Sequence, residues 1–478
     1  MSPRIVVVGG GLAGLAAAVA LTDRGYPCTL LESRPRLGGR ASSFHDATTD
    51  TNIDNCQHVT LGCCTNFRHF YQSVDMGDYF HRERALYFVG PQGLVDRFAA
   101  DPLPAPFHLA RAFAQLSYLS WADKRRLASG LRSLAKPVSP HDELKPFSEW
   151  LKRHQQSDIA INRFWLVVLV SALSEPLEKI SVAHARKVFV DGFLANQDGW
   201  SVDIPTVPLE ELYGKSLTQW LTSRGTVIRL LTSAEKVQTF AGRVNGVRLS
   251  SQEVIPADEV AVALPFFRVK SVLPPEVADA PELSGVAQLA AAPISSIHLW
   301  FDRPIMDLRH AVLVDRLCQW VFNRTVISAT RKPTQQQMNP NGSNLDNAFY
   351  YQVVISASHE LVSRKREDVL HDVIRELTAI WPKTSAATLL HSRSVTEHRA
   401  VFSPSPGVDA LRPVQQSPID NLQLAGDWTR TGWPATMEGA VRSGYLAAEN
   451  ILRNLGNPQQ VLQPDLPTAL WSRLLFGL

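Results

Sequence analysis

The apolar positions of this chain follow different periods in different stretches, and each period predicts its own element. Residues 5–8, within "IVVVGG", form an unbroken β-branched run, the mark of a strand buried on both faces of a parallel sheet. A helical stretch, "LAGLAAAVALTDRG", follows and ends at Gly25, and a second strand, "PCTLLE", ends at Glu32. Residues 225–265 alternate with period two about the turn "AGRVNG" and close on "ADEVAVALP", which predicts a hairpin and a further strand. Residues 107–136 set Leu109, Phe113, Leu116 and Leu119 at helical spacing, then continue as a second helix rich in arginine and leucine. Near the C-terminus "NLQLAGDW" predicts a strand over residues 422–424, with a helix starting near Thr436 or Met437. The longest internal apolar run, "FWLVVLVSAL", is too short to span a bilayer.

The turns between these elements carry the candidate chemistry. Gly9, Gly11 and Gly14 follow the first strand at the G-x-G-x-x-G spacing: the first allows a tight turn, the second lets a pyrophosphate reach the backbone, and the third lets helix and strand pack closely. Glu32, at the end of the second strand, can accept the hydroxyls of an adenosine ribose. Strand, glycines, helix, strand and acid in that order predict a dinucleotide site. "RPRLGGR" comes next, and Gly38, Gly39 and Arg40 supply backbone donors and a fixed cation for a diphosphate. This second glycine pair resembles that of the two-dinucleotide-binding-domain flavoproteins, which include amine oxidases and carotenoid desaturases. The resemblance implies FAD held in a discontinuous domain. A C-terminal segment would close that domain, with Gly426 and Asp427 at the ribityl and phosphate region.

Composition narrows the classes. At 478 residues the chain is too long for one ordinary core, and a formal net charge of +3 is too small to argue for nucleic acid. Cys28, Cys56, Cys63, Cys64 and Cys318 are odd in number and scattered, which predicts reduced cytosolic thiols and no metal site. Arg4 and the first apolar run imitate a secretory signal, but the glycines and the strand that follows argue against one.

Five further stretches, "IDNCQHVTLGCCTNF", "FWLVVLVSALSEPLEKIS", "PISSIHLWFDRPI", "QWVFNR" and "LAGDWTRTGWPATMEGAVRSG", together resemble the squalene-associated FAD-dependent desaturase family, the hydroxysqualene dehydroxylases of bacterial squalene and hopanoid synthesis. The similarity runs in order from residue 4 to about residue 453. It implies an α/β (α+β) fold, with a discontinuous Rossmann-like, amine oxidase-like FAD domain and a mixed sheet-and-helix substrate domain. The expected FAD segments are residues 1–95, 206–268 and 401–456, the substrate domain residues 96–205 (helical) and 269–400 (mixed), and the tail residues 457–478. Val237 is the expected backbone contact for adenine, and Met437 and Gly439 would bring a helix start against the flavin. The family's D-N-G-Q-H stretch has Cys56 in place of its glycine here, beside Gln57 and His58.

The implied reaction exchanges an allylic hydroxyl for hydrogen, turning hydroxysqualene into squalene with reduced FAD as hydride donor. His58 is the expected proton donor, with Gln57 beside it and Glu438 as the weaker candidate; Trp428 and Trp433 are expected to face the carbocation. No second dinucleotide fingerprint is present, so the source of reducing equivalents is open between NADPH, as a transient reductant, and a protein donor. The basic stretch 107–136 and the tail 466–478 predict peripheral contact on the cytoplasmic face of the membrane. A polyene desaturase or amine oxidase, and a lipid-escort protein of the same fold, are the competing readings.

Overall fold

The structure is a computed structural model that describes residues 2–330, 345 and 347–478. Five short strands drawn from three separated parts of the chain assemble one parallel sheet, in the spatial order Val227–Arg229, Thr29–Leu31, Ile5–Val8, Glu259–Val262, Leu422–Leu424. Alternation along the first strand sorts its two faces. Ile5 and Val7 pack under the helices Leu12–Asp23 and Met437–Asn454, while Val6 and Val8 pack under the antiparallel sheet Ala234–Phe240, Arg243–Leu249 and Val254–Pro256. The two helices approach closely because position 444 is glycine: a Cβ there would stand 2.2 Å from the Ala13 carbonyl oxygen. Gly444 therefore serves the packing of helix against helix.

A seven-stranded mixed sheet forms the second body, built around the long pair Ala291–Phe301 and Leu389–Phe402. Leu86–Val89 and Val95–Phe98 extend it, through parallel pairing of Leu86–Val89 with His310–Leu313. That moves residues 86–95 out of the first FAD segment, where the sequence reading had put them. The reason is burial on both faces: Leu86 joins one apolar cluster and Val89 the other. A third sheet, Thr60–Leu61, Val202–Pro205 and Phe80–Glu83, links the two bodies.

The stretch 107–136 forms helices Ala110–Gln115 and Trp121–Leu134, with a break at residues 116–120. Ser120 caps the second helix by accepting from the Asp123 amide, and Asp123 in turn accepts from the Ser120 and Ser157 hydroxyls. Lys124 is buried, its Nζ donating to the Ala114 carbonyl at 2.7 Å, so it stitches the two helices together and is not part of a solvated basic face. Among the described residues no helix is long and apolar enough to cross a membrane.

Candidate active site

The two glycine loops meet to form a bare backbone cradle. The Gly38 amide donates to the Gly10 carbonyl at 2.8 Å, and Gly38 and Gly39 both take positive φ (94° and 62°), which β-carbon-bearing residues resist. Gly9, Gly11, Glu32, Gly38, Gly39 and Arg40 all line a cavity of about 810 Å³ that runs between the parallel sheet and the seven-stranded sheet. Gly14 does not line it. A Cβ at Gly14 would stand 1.9 Å from the Gly9 carbonyl oxygen, so Gly14 sets how closely helix and strand pack. Glu32 is oriented by its neighbours: Oε2 accepts from the Gly10 amide at 2.8 Å and Oε1 from the Arg34 amide at 2.7 Å. The cradle, with an oriented acid at its end, fits a dinucleotide.

Arg40 reaches across the fold. Its Nη2 donates to Asp427 Oδ1 at 2.6 Å and its Nη1 to the Ala400 carbonyl at 2.9 Å, tying the first segment to the last. Arg40 thus acts first as a partner of Asp427, a pairing that the sequence reading, which aimed both at the cofactor, had not foreseen. The turn that carries Asp427 is pinned by Arg412, a fully buried guanidinium donating to the carbonyls of Asp427, Thr429 and Trp433 at 2.6–3.1 Å and pairing with Asp409. One cation satisfying three turn carbonyls replaces the hydrogen bonds that a regular element would supply. Sequence reasoning missed it, because "LRPVQQSP" gives no local sign of a target 15 residues away.

Four expected contacts are corrected here. Val237 points into the core of the hairpin sheet, and the residues of that segment that line the cavity are Thr232, Ser233 and Ala234. Trp428 is fully buried outside the cavity, with Nε1 donating to the Leu264 carbonyl at 2.8 Å; the strand-end bend aims it at the hairpin side. Gly439 does not line the cavity either: a Cβ there would meet the Pro434 carbonyl oxygen at 2.7 Å, so it relieves its own turn. Met437 and Trp433 do line it, but Lys187 Nζ sits 4.2 Å from the center of a Trp433 ring, so that ring already has its cation.

Glu438 has a different occupation from the expected one. Its carboxylate accepts from the amides of Asn66 (3.1 Å) and Phe67 (2.7 Å) and from the Asn66 side chain (3.0 Å), capping the helix Thr65–Ser73, with Arg442 behind it at 3.4 Å. Burial, opposed by these donors, raises its pKa above the ordinary value. Gln57 is likewise committed, its Oε1 accepting from the buried Arg324 at 2.7 Å. His58 is the expected acid that remains free to act. Its Nδ1 lies 2.9 Å from the Cys56 carbonyl and donates to it, so in the neutral ring Nε2 is left as an acceptor, and the residue lines the cavity. Burial lowers its pKa.

Helix Val182–Phe189 and the turn after it add Lys187 and Asp191, paired at 2.7 Å on the cavity wall. Their i, i+4 spacing amid the apolar "HARKVFVDGF" was the available signal. All five cysteines are free, and among the described residues no His, Cys, Asp and Glu cluster could hold a metal ion.

A parallel-sheet cradle with an oriented acid and a third chain segment closing over it defines a dinucleotide-binding oxidoreductase fold. The model of the flavin containing amine oxidoreductase family matches residues 12–452, and the chain belongs to that family, whose cofactor is FAD. Among curated proteins it is similar to the chloroplastic/chromoplastic 15-cis-phytoene desaturase of an Oncidium hybrid cultivar, at 28% identity over 94% of this chain and 78% of that one. It is also similar to the 15-cis-phytoene desaturase of Synechococcus elongatus, at 26% identity over 94% of this chain and 96% of that one. Among solved structures, an oxidoreductase from Methanosarcina mazei superposes with a TM-score of 0.69 at 17% identity, covering 92% and 98% of the two chains. A putrescine oxidase triple mutant gives 0.69 at 14% identity, covering 95% and 99%. The protein is an FAD-dependent oxidoreductase of the flavin containing amine oxidoreductase family.

Proposed function

We propose that this enzyme removes the allylic hydroxyl of hydroxysqualene reductively, releasing squalene. The character of the cavity carries the reading. Away from the nucleotide cradle its walls are mostly apolar, with Phe88, Val167, Val168, Val312 and Phe322 among them; Asp191, Asp427 and Glu438 each face a cation of the protein, Glu32 is held by backbone amides at the cradle, and Glu397 lies near Arg40. A cationic amine finds little free counter-charge there, whereas a long hydrocarbon with one hydroxyl is suited to it.

When bound, reduced FAD supplies the hydride. The C–O bond breaks, a C–H bond forms, and the oxygen leaves as water after gaining one proton. The chain's part is to hold the carbon in place, exclude water and deliver that proton. His58 donates to the departing oxygen from Nε2 when doubly protonated. Because burial depresses its pKa below 6.5, that form grows only as pH falls. Turnover should therefore rise toward acid through the depressed pKa, and this limb should be missing in His58→Gln.

The test is anaerobic. Photoreduced protein mixed with hydroxysqualene should reoxidise and yield squalene by mass spectrometry. His58→Gln should slow reoxidation on the order of a hundredfold at unchanged flavin content. A fall below about threefold would return His58 to a packing role. The second reading, favoured by the similarity to phytoene desaturases, is a polyene desaturase that takes hydride from substrate. Bleaching of the oxidised protein by phytoene, with no squalene formed from hydroxysqualene, would replace our proposal with it. NADPH is the first reductant to try in place of light.

The tail supports work at a lipid surface on the cytoplasmic side of the membrane. Helix Leu470–Phe476 exposes Leu470, Trp471, Leu474 and Leu475, and Trp471 stacks edgewise on the exposed Phe107 with ring centers 6.3 Å apart. The Ser472 hydroxyl donates to the Leu194 carbonyl and the Ala469 amide to the Ala195 carbonyl, just beyond the cavity residues Asp191 and Phe193. An apolar insertion next to the cavity wall would let substrate pass from acyl chains without crossing water. Deleting residues 466–478 should shift protein from sedimenting anionic vesicles to the supernatant with FAD retained. Reversing the exposed Arg125 and Arg126 should weaken binding chiefly at low salt. Full sedimentation of the truncated protein would reduce the tail to a packed terminal helix.

A further inference from the structure

Helix Val182–Phe189 runs into a wider turn, Val190–Leu194, in which the Ala195 amide reaches back five residues to the Val190 carbonyl at 2.8 Å. This junction puts an ion pair on the cavity wall. Lys187 and Asp191 both line the cavity, and their side chains are 22% and 29% exposed, so neither is sealed behind other residues. The wall about them is apolar: Val188, Phe193, Val167, Val168 and Ala172 line the same cavity and belong to one hydrophobic cluster.

Lys187 Nζ donates to Asp191 Oδ2 at 2.7 Å and lies 4.2 Å from the center of a Trp433 ring. An ammonium carries three N–H groups, so these two partners leave a donor over. Asp191 Oδ1 accepts no hydrogen bond among the described residues. Two other carboxylates of the cavity differ in this, since both oxygens of Glu32 and both oxygens of Glu438 accept from backbone amides. The pair thus keeps one donor and one acceptor for a ligand. A ligand ammonium would meet Lys187 as a like charge, and a ligand carboxylate would meet Asp191 in the same way. A neutral hydroxyl donates and accepts at once, and because the two protein charges already balance, pairing with it leaves no charge uncompensated.

We infer that Lys187 and Asp191 form the hydroxyl-binding site of the cavity, the ammonium donating to the oxygen of an isoprenoid alcohol and Asp191 Oδ1 accepting from its O–H. The cavity then selects the alcohol over the hydrocarbon of equal length. Both are positioning residues, and the alcohol oxygen keeps a second lone pair for a proton donor. The inference rests on the isoprenoid reading of the cavity proposed above, and it is independent of which reaction follows.

The test uses the oxidised flavoprotein, in which no hydride is available. Immobilised protein is equilibrated with equal amounts of hydroxysqualene and squalene in detergent micelles, and the bound fraction is extracted and read by mass. The intact protein should retain the alcohol over squalene by about tenfold or more. Lys187→Met combined with Asp191→Leu removes both charges together, so neither is left unpaired, and should bring the ratio near one with squalene binding unchanged. Asp191→Asn keeps an acceptor oxygen and should retain part of the preference. Bound flavin and the thermal midpoint report that each variant is folded. Equal retention of the two ligands by the intact protein would overturn the site and leave the isoprenoid reading in place; that comparison needs no variant. A preference that survives in the double variant, or a parallel loss of both ligands, would also overturn it. If the intact protein retains neither ligand, the isoprenoid reading and this site fall together. If the alcohol preference is present and lost in the double variant, but the reduced protein forms no squalene, the proposed reaction fails and the hydroxyl site stands.

Discussion

Gly11→Val should fold and purify colourless, whereas Gly14→Val should yield little folded protein. Both positions belong to one glycine fingerprint, yet their surroundings differ. A Cβ at Gly11 meets only the Gly39 Cα at 3.9 Å, an ordinary contact, so the larger side chain extends into the space where the nucleotide lies. A Cβ at Gly14 collides with the Gly9 backbone, and neither the strand end nor the helix start can retreat without opening the core beneath. Flavin absorbance per mole of protein and the yield of soluble monodisperse protein separate the two effects. Full flavin occupancy in Gly11→Val would remove the nucleotide assignment from this cavity.

The second large effect is expected at Glu438. Glu438→Ala should lower the thermal-unfolding midpoint sharply. It strips the buried amides of Asn66 and Phe67 of their acceptor and removes one of the two carboxylates that Arg442 pairs with among the described residues, leaving Asp465. Loss of a buried, multiply hydrogen-bonded carboxylate costs about 3 kcal/mol or more. Glu438→Gln keeps one acceptor oxygen and should recover part of the loss. A melt unchanged in Glu438→Gln, with squalene formation abolished, would instead make Glu438 the proton donor and the helix cap incidental.

Much of the nucleotide site was legible because its determinants are local. Gly9, Gly11, Gly38 and Gly39 act through their own backbones, Glu32 stands at the end of its own strand, and Thr436 caps its own helix by accepting from the Gly439 amide at 3.1 Å. A residue whose role is set within a few positions of itself leaves its mark in the spacing of its neighbours. Trp428 and Trp433 show where that legibility stops. They flank the same turn, and one faces the hairpin core while the other faces the cavity, a division set by the strand-end bend and by Arg412.

The chain by itself determined the strand, glycine, helix and acid order, the two glycine loops, and the C-terminal strand and helix that close over them, since hydrophobic period and backbone freedom are written residue by residue. Only the tertiary structure decided which polar groups of the cavity are committed elsewhere. Glu438 caps a helix 371 residues away, Asp427 pairs with Arg40 across 387 residues, and Gln57 holds Arg324 across 267. A buried charge or donor must find its partner in space, and the partner's place along the chain is free. Sequence spacing therefore records turns and periods, and the pairing of buried polar groups appears only once the segments are packed.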